Sequence, residues 1–297
     1  MLSIISSISS IDIVGISGGS TANIAFYNSI HLVRLSLLCG VKLSSLLEET
    51  DSHLEVMTRF HNKLSMPYLL AYRETISLLI DKGQSTGSSR KMENCEEMTS
   101  NAVYAQRHNE TQYFNKMFQA FWQGHSSRCH HYATKALEMN LLGRHNRLII
   151  LFYAALNAFH GIKNNNGNGS QFAKVRGLYK QALTALRAAA ELSPGNFSNK
   201  VFLVEAELHS FERKYDKAKS SYTAAITASC SSGYVHEHGL ACEHAGLHYI
   251  RIGEPQTALV FLQQAKQSYN NWGSEMKVDT ISQLIEKVLS MSLVKTK

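Results

Sequence analysis

The sequence predicts an all-α protein assembled from antiparallel helical hairpins, and three observations carry the prediction. There are three prolines in 297 residues, far fewer than the turns of a β sandwich or barrel would use, which favours long uninterrupted helices. Apolar residues recur three and four apart through nearly every segment from Ile24 onward, the period of a helix with one buried face. Small residues return at constant offsets from successive turns, so the hairpins repeat one another.

Taken in order, residues 1–82 read as N-terminal helical hairpins. Apolar groups at Ile24, Phe26, Tyr27, Ile30, Leu32, Val33, Leu35, Leu37 and Leu38, then at Leu43, Leu46, Leu47, Leu54 and Met57, keep helical spacing on both sides of Gly40, where a turn joins two helices. A third helix spans about Pro67 to Ile80, its proline in the first turn where no backbone hydrogen bond is lost. Residues 83–108 are polar and turn-rich and read as a loop or linker. The repeat region is 109–297, with apolar stripes over 110–123, 126–141, 146–161, 171–192, 198–213, 215–229, 235–252 and 255–270. Between two of these, KNNNGNGS from Lys163 to Ser170 is a low-complexity polar insertion, expected to be a disordered surface loop. A last helix, about Ser274 to Leu289, carries Val278, Ile281, Leu284, Ile285 and Val288 on one face, as a capping helix should.

The repeat is legible from the turns. Gly253 is followed by Ala258, Leu262 and Ala265; Arg213 by Ala218, Tyr222 and Ala225; Gly124 by Cys129, Ala133 and Ala136. In each, small residues flank a packing residue, a pattern similar to the second helix of a tetratricopeptide (TPR) repeat, where small side chains let two helices approach. Gly246 and Ala206 lie twelve residues before Ala258 and Ala218, matching the small crossing position of the first helix, and Tyr249 stands where that repeat favours tyrosine. Turn intervals of 40 and 89 residues mark elongated relatives of that 34-residue unit, the longer interval holding one degenerate extra hairpin. The expected fold is therefore a TPR-like α-solenoid of antiparallel hairpins. Trp272 and Gly273 follow the last hairpin; the glycine can take the left-handed conformation that ends a helix, and the indole should be buried.

Composition limits the function. A 44% hydrophobic share with 18% charged residues is that of a soluble globular chain with a sizeable core. Thirty Lys and Arg against 23 Asp and Glu leave +7, yet no run of five basic residues gathers the excess into the stripe that nucleic acid requires, so no nucleic-acid partner is expected. Five cysteines, Cys39, Cys95, Cys129, Cys230 and Cys242, form no CxxC pair, and a scattered odd set reads as reduced thiols of a cytoplasmic protein. MLSIISSISSIDIVGIS lacks the positive n-region of a signal peptide, and no apolar run is long enough for a membrane span. Such a start suits a chain cut from a longer protein.

Candidate chemistry is thin. Gly15-Ile16-Ser17-Gly18-Gly19 matches G-x-S-x-G after the strand-like Ile11 to Val14, but a nucleophile elbow needs a parallel sheet and later acid and histidine partners, and helices follow instead. It reads as a Gly/Ser turn. Neither this stretch nor GQSTGSSRK from Gly83 has the lysine of a phosphate loop. His236, His238, Cys242, His244 and His248 invite a zinc reading, since His244 and His248 are one helical turn apart. Cys242 sits about 200° around the helix from His244, however, so the run reads as surface and groove histidines. Cys129, His130 and His131 point to different faces of one helix. No metal, cofactor or catalytic residue is expected, acidic residues being scattered or adjacent on solvated faces.

Two stretches resemble a known family. Asn196 to Ala225 and His236 to Val278 look like the helical-repeat region of very large signalling proteins, carried by Asn196-Phe197, Leu203-Val204-Glu205-Ala206-Glu207, Leu240-Ala241, Glu243, Ala245-Gly246, Tyr249, Gly253, Ala258, Tyr269, Trp272-Gly273 and Lys277-Val278. In that family a serine/threonine kinase domain, an AAA/STAND-type ATPase, this helical region, a GAF domain and a sensor histidine kinase follow one another. The likeness extends more weakly through Gln119 to Ala136 and Ile30 to Ile80. Histidine replaces some of the family's acidic residues between His236 and His248, and the family's kinase, ATPase and histidine-kinase motifs are absent from this chain. The resemblance implies a non-catalytic interaction or regulatory segment whose partners are proteins or the flanking kinase and ATPase domains.

Three readings compete: that module, an enzyme hidden behind Ser17 or the histidines, and a structural scaffold or gene fragment with no ligand of its own. For the module, the first helix of each hairpin would line a concavity, which nominates Phe202, Glu205, His209, Cys242 and Tyr249 as groove-lining residues.

Overall fold

The computed structural model describes residues 19–81, 102–139, 144–163 and 169–294. Twelve helices and no strands occur among the described residues: α1 (Gly19–Cys39), α2 (Leu43–Arg59), α3 (Met66–Ile80), α4 (Ala102–Trp122), α5 (Ser126–Glu138), α6 (Arg144–Lys163), α7 (Gly169–Leu192), α8 (Pro194–Phe211), α9 (Tyr215–Ser231), α10 (Val235–Arg251), α11 (Pro255–Trp272) and α12 (Glu275–Val294). The predicted all-α class holds, and every stripe read from the sequence from α1 to α12 falls on a helix. The three prolines, Pro67, Pro194 and Pro255, each sit in the first turn of a helix, where the missing N–H has no intrahelical partner to lose.

Gly40, with φ of 76°, ends α1 as the sequence predicts. The expected linker 83–108 is shorter than read: α4 already begins at Ala102, because Ala102 to Gln106 are good helix formers or tolerated ones with no breaker among them. The G-x-S-x-G stretch before Gly19, the GQSTGSSRK segment and the asparagine-rich insertion at 164–168 lie outside the described residues.

Successive helices pack on one another along the chain, and α4, α6, α8 and α10, the first helices of four hairpins, also touch in that order. The long interval between Gly124 and Arg213 does contain the extra hairpin, α6 with α7. One continuous apolar core runs from Phe26 in α1 to Val288 in α12.

The small residues read as crossing points are buried, and one of the two crossings is a close approach of helices. Ala206, Ala218 and Ala258 are fully buried. A Cβ added to Gly246 would meet the Cγ and Cδ2 of Leu262 at 2.8 Å and the Ala258 carbonyl oxygen at 3.3 Å, so hydrogen is the only substituent that fits this approach unless the neighbours move. Trp272 is buried, Gly273 takes the left-handed conformation with φ of 85°, and α12 packs on α11. The C-terminal helix has a further neighbour: α12 also touches α3, and the Ser274 hydroxyl donates to the Leu79 carbonyl at 2.5 Å. The last helix therefore packs on both the last hairpin and an N-terminal helix.

Candidate functional site

The most elaborate polar structure lies between α8 and α10. On α8, Asn196, Asn199, Lys200, Glu207 and Ser210 recur at helical spacing and share one face. On α10, Glu237, His244, His248 and Arg251 do the same, with Tyr234 just ahead of the first turn. Where the two rows meet, the Lys200 ammonium lies 2.7 Å from the Glu237 carboxylate, both nearly sealed from solvent. Asn199 also donates to Glu237, and the Tyr234 hydroxyl donates to Asn196 at 2.7 Å. Lys200 further donates to the Asn196 carbonyl at 3.0 Å and stands 4.6 Å from the centre of the Tyr234 ring. A charge this deep persists only with such partners, because an unpaired one would carry its full desolvation cost.

Two helical turns further the theme continues. Glu207 accepts from the Tyr222 hydroxyl and from His244 Nδ1–H at 2.9 Å, which fixes that imidazole's tautomer since a carboxylate only accepts. Burial, then the Glu207 charge, pushes the Tyr222 hydroxyl well above its ordinary pKa. Arg251 Nη2 donates to Ser210 Oγ at 2.8 Å, leaving the hydroxyl proton free to go to His248 Nδ1 at 2.8 Å. Burial and then the Arg251 charge bring His248 down to about 4, so it is neutral near pH 7.

On its other side α10 meets an aromatic junction. His236 is fully buried, 5.2 Å from the Trp272 ring and 6.0 Å from Trp122, and the two indoles are 4.9 Å apart. Gly40 presses on it from the N-terminal helices; a Cβ there would overlap the His236 ring. Both ring nitrogens lack a hydrogen-bond partner among the described residues, and burial brings the group down to about 4. Alongside, Glu243 receives Lys277 at 2.7 Å and the Tyr269 hydroxyl at 2.5 Å. Burial alone would raise its carboxyl, but the Lys277 charge and these hydrogen bonds hold it below the usual range.

The histidine run is thus not a set of surface and groove residues. His236, His244 and His248 are buried, because they face α4, α8 and α9 rather than solvent. Each has its own neighbour, and His238 turns to Ser268 at 2.8 Å. Among the described residues no three His, Cys, Asp or Glu side chains are grouped so as to hold a metal ion. Cys129 is buried while His130 and His131 are exposed.

The nominated groove residues occupy several seams and do not converge. Glu205 meets Arg187 of α7 at 2.6 Å, and His209 lies 3.2 Å from Ser221 of α9. Cys242 is fully enclosed beside Gln264 of α11 at 3.6 Å. Tyr249 stacks on Phe261 of α11 at 5.2 Å with Lys219 over its ring, and Phe202 is half-buried against the core. The α8–α10 polar rows went unnoticed in the sequence because polar residues at helical spacing look the same whether they face water or another helix. The one available signal was that Lys200 and Glu207 on one helix, and Glu237 and His244 on the other, have the same seven-residue spacing.

At the Arg251 end of the seam a cleft of about 280 Å³ opens, lined by Glu207, Ser210, Phe211, Arg213, Tyr215, Arg251 and Ile252. No protein-family model matches this chain, and no curated protein does. No helix among the described residues is long and apolar enough to cross a membrane.

Proposed function

We propose that the chain is a TPR-like helical-repeat segment that acts in the cytoplasm as a non-catalytic interaction and regulatory module of a large signalling protein, beside kinase and ATPase domains. The observation that carries the reading is the close approach of Gly246 to Ala258, with Ala206 and Ala218 buried at the corresponding positions of the preceding hairpin, in hairpins that stack through their first helices. Supporting it is the resemblance of Asn196 to Ala225 and His236 to Val278 to the helical region of such proteins. Stacked hairpins offer long surfaces to protein partners and transmit displacement along their axis. The buried charge seam between α8 and α10 would let neighbouring hairpins move as one body, since sliding them strands Lys200 and Glu237 without partners.

Sequencing full-length transcripts that contain this chain tests the reading. The expected result is one open frame in which a phosphate-loop ATPase precedes these helices. Transcripts that all carry an in-frame stop immediately before Met1 would remove the large-protein part of the proposal.

A further inference from the structure

We propose that the cleft between the α8–α9 turn and the end of α10 binds an oxyanion, a phosphate or a carboxylate, borne on an aromatic or apolar group. The site is independent of the repeat-module reading and stands on its own geometry.

The first observation is charge. Two guanidiniums, Arg213 and Arg251, line the cleft against one carboxylate, Glu207. That carboxylate is already engaged by the Tyr222 hydroxyl and His244 and stands 3.9 Å from Arg251. The neighbouring Glu212 is taken by Lys214 at 2.6 Å and approached by Arg176 at 3.8 Å, so it does not cancel the excess. Asp216 is exposed and is not among the residues that line the cleft. Among the described residues Arg213 has no ion-pair partner.

The second is preorganisation. Arg251 is held by Ser210, which is held in turn by His248, so one planar fork of donors is fixed before any ligand arrives, the geometry that suits a two-oxygen acceptor. The third is backbone strain at the mouth. Arg213 is left-handed with φ of 59°, whereas Gly124 and Gly253, at the matching turn positions of other hairpins, are glycines. A large side chain accepts that conformation only at a cost that glycine avoids, and here the side chain it retains is a guanidinium on the cleft. The fourth is the remaining lining: Phe211 and Ile252 are apolar, and Tyr215 leaves 42% of its surface exposed. A bare inorganic ion would leave these surfaces unused; an aromatic oxyanion would cover them.

The test is calorimetric titration of the full chain with phenyl phosphate and with phenylacetate at constant ionic strength, repeated on Arg251→Gln and Arg213→Gly. Saturable binding of at least one probe is expected, weakened tenfold or more by Arg251→Gln. Arg213→Gly should weaken binding several-fold while leaving the thermal midpoint unchanged or higher, a combination that loss of folding cannot produce. A preference for phenyl phosphate assigns a phosphorylated ligand, and a preference for phenylacetate a carboxylate. Failure of both probes to bind saturably, or equal binding by the wild type and both variants, overturns the proposal.

Discussion

Within the α10–α11 hairpin the helices cross at Gly246, Ala258, Leu262 and Ala265, a crossing that is itself dry, small side chains around one plug, while hydrogen bonds between His238 and Ser268 and between Tyr269 and Glu243 flank it. Between hairpins, α8 and α10 meet through Lys200, Glu237, Glu207, His244, Ser210 and His248, a contact of charges and hydrogen bonds equally hidden from water. The first interface is held by close approach, and its sensitivity is to volume. The second is held by completeness, and its sensitivity is to the removal of one partner from a pair. One helix, α10, thus uses two unlike solutions within a few residues of each other.

The largest effects should fall where both kinds of contact meet. Trp272→Ala should cost roughly 3 to 5 kcal/mol, the range for deleting a fully buried large ring, measured by equilibrium denaturation in urea. Because Trp272 touches Trp122 and His236, hydrogen exchange should show α4 and α10 loosening together with α11; loosening confined to α11 and α12 would mean that the junction does not couple them. A comparable loss, about 3 to 5 kcal/mol, is expected for Lys200→Met, which leaves Glu237 buried without its cation. Adding Glu237→Leu should then restore most of the stability. No recovery in the double variant would show that Asn199 and His236, not the ion pair, need Glu237.

Acid should act on the buried histidines. His236 has a folded pKa of about 4 against an ordinary value of 6.5, and a base whose folded pKa is depressed stabilises the fold fully above its unfolded pKa. That contribution, on the order of 3 kcal/mol, is lost as pH falls from about 6.5 to about 4. His236→Phe should reduce the fall of the urea midpoint across that window, the remainder belonging to His248, which is lowered to about 4 as well, and an unchanged pH slope would show that other groups govern it. On the dry side, Gly246→Ala sets a gain of about 1 kcal/mol in helix propensity against overpacking of roughly 1 to 3 kcal/mol by Leu262. Net destabilisation is expected, and a more stable variant would show that Leu262 yields freely. The smallest change, Arg213→Gly, should stabilise by about 1 kcal/mol through relief of the left-handed residue, read as a raised thermal midpoint.

Much of the fold could be read from the chain, since its cues are local. Apolar periodicity placed the helices, Pro67 marked a start, and the recurrence of Ala218 and Ala258 after their turns pointed to the crossings. The site was less accessible. His236, His244 and His248 suggested solvent because histidine is polar, and their burial follows from Trp122, Glu207 and Ser210, which are 114, 37 and 38 residues distant. The nominated Glu205 and His209 were correctly placed on a first helix, yet which neighbouring helix each would meet depended on the rotation of α8 against α7 and α9.

By itself, then, the sequence determined the helices, their turns and the close approach inside each hairpin, all of which depend on residues near one another in the chain. Only the tertiary structure decided that α12 would close against α3, that Gly40 would leave room for His236, and that Lys200 would find Glu237. Those outcomes depend on how far each hairpin rotates on the next, a quantity no single segment encodes.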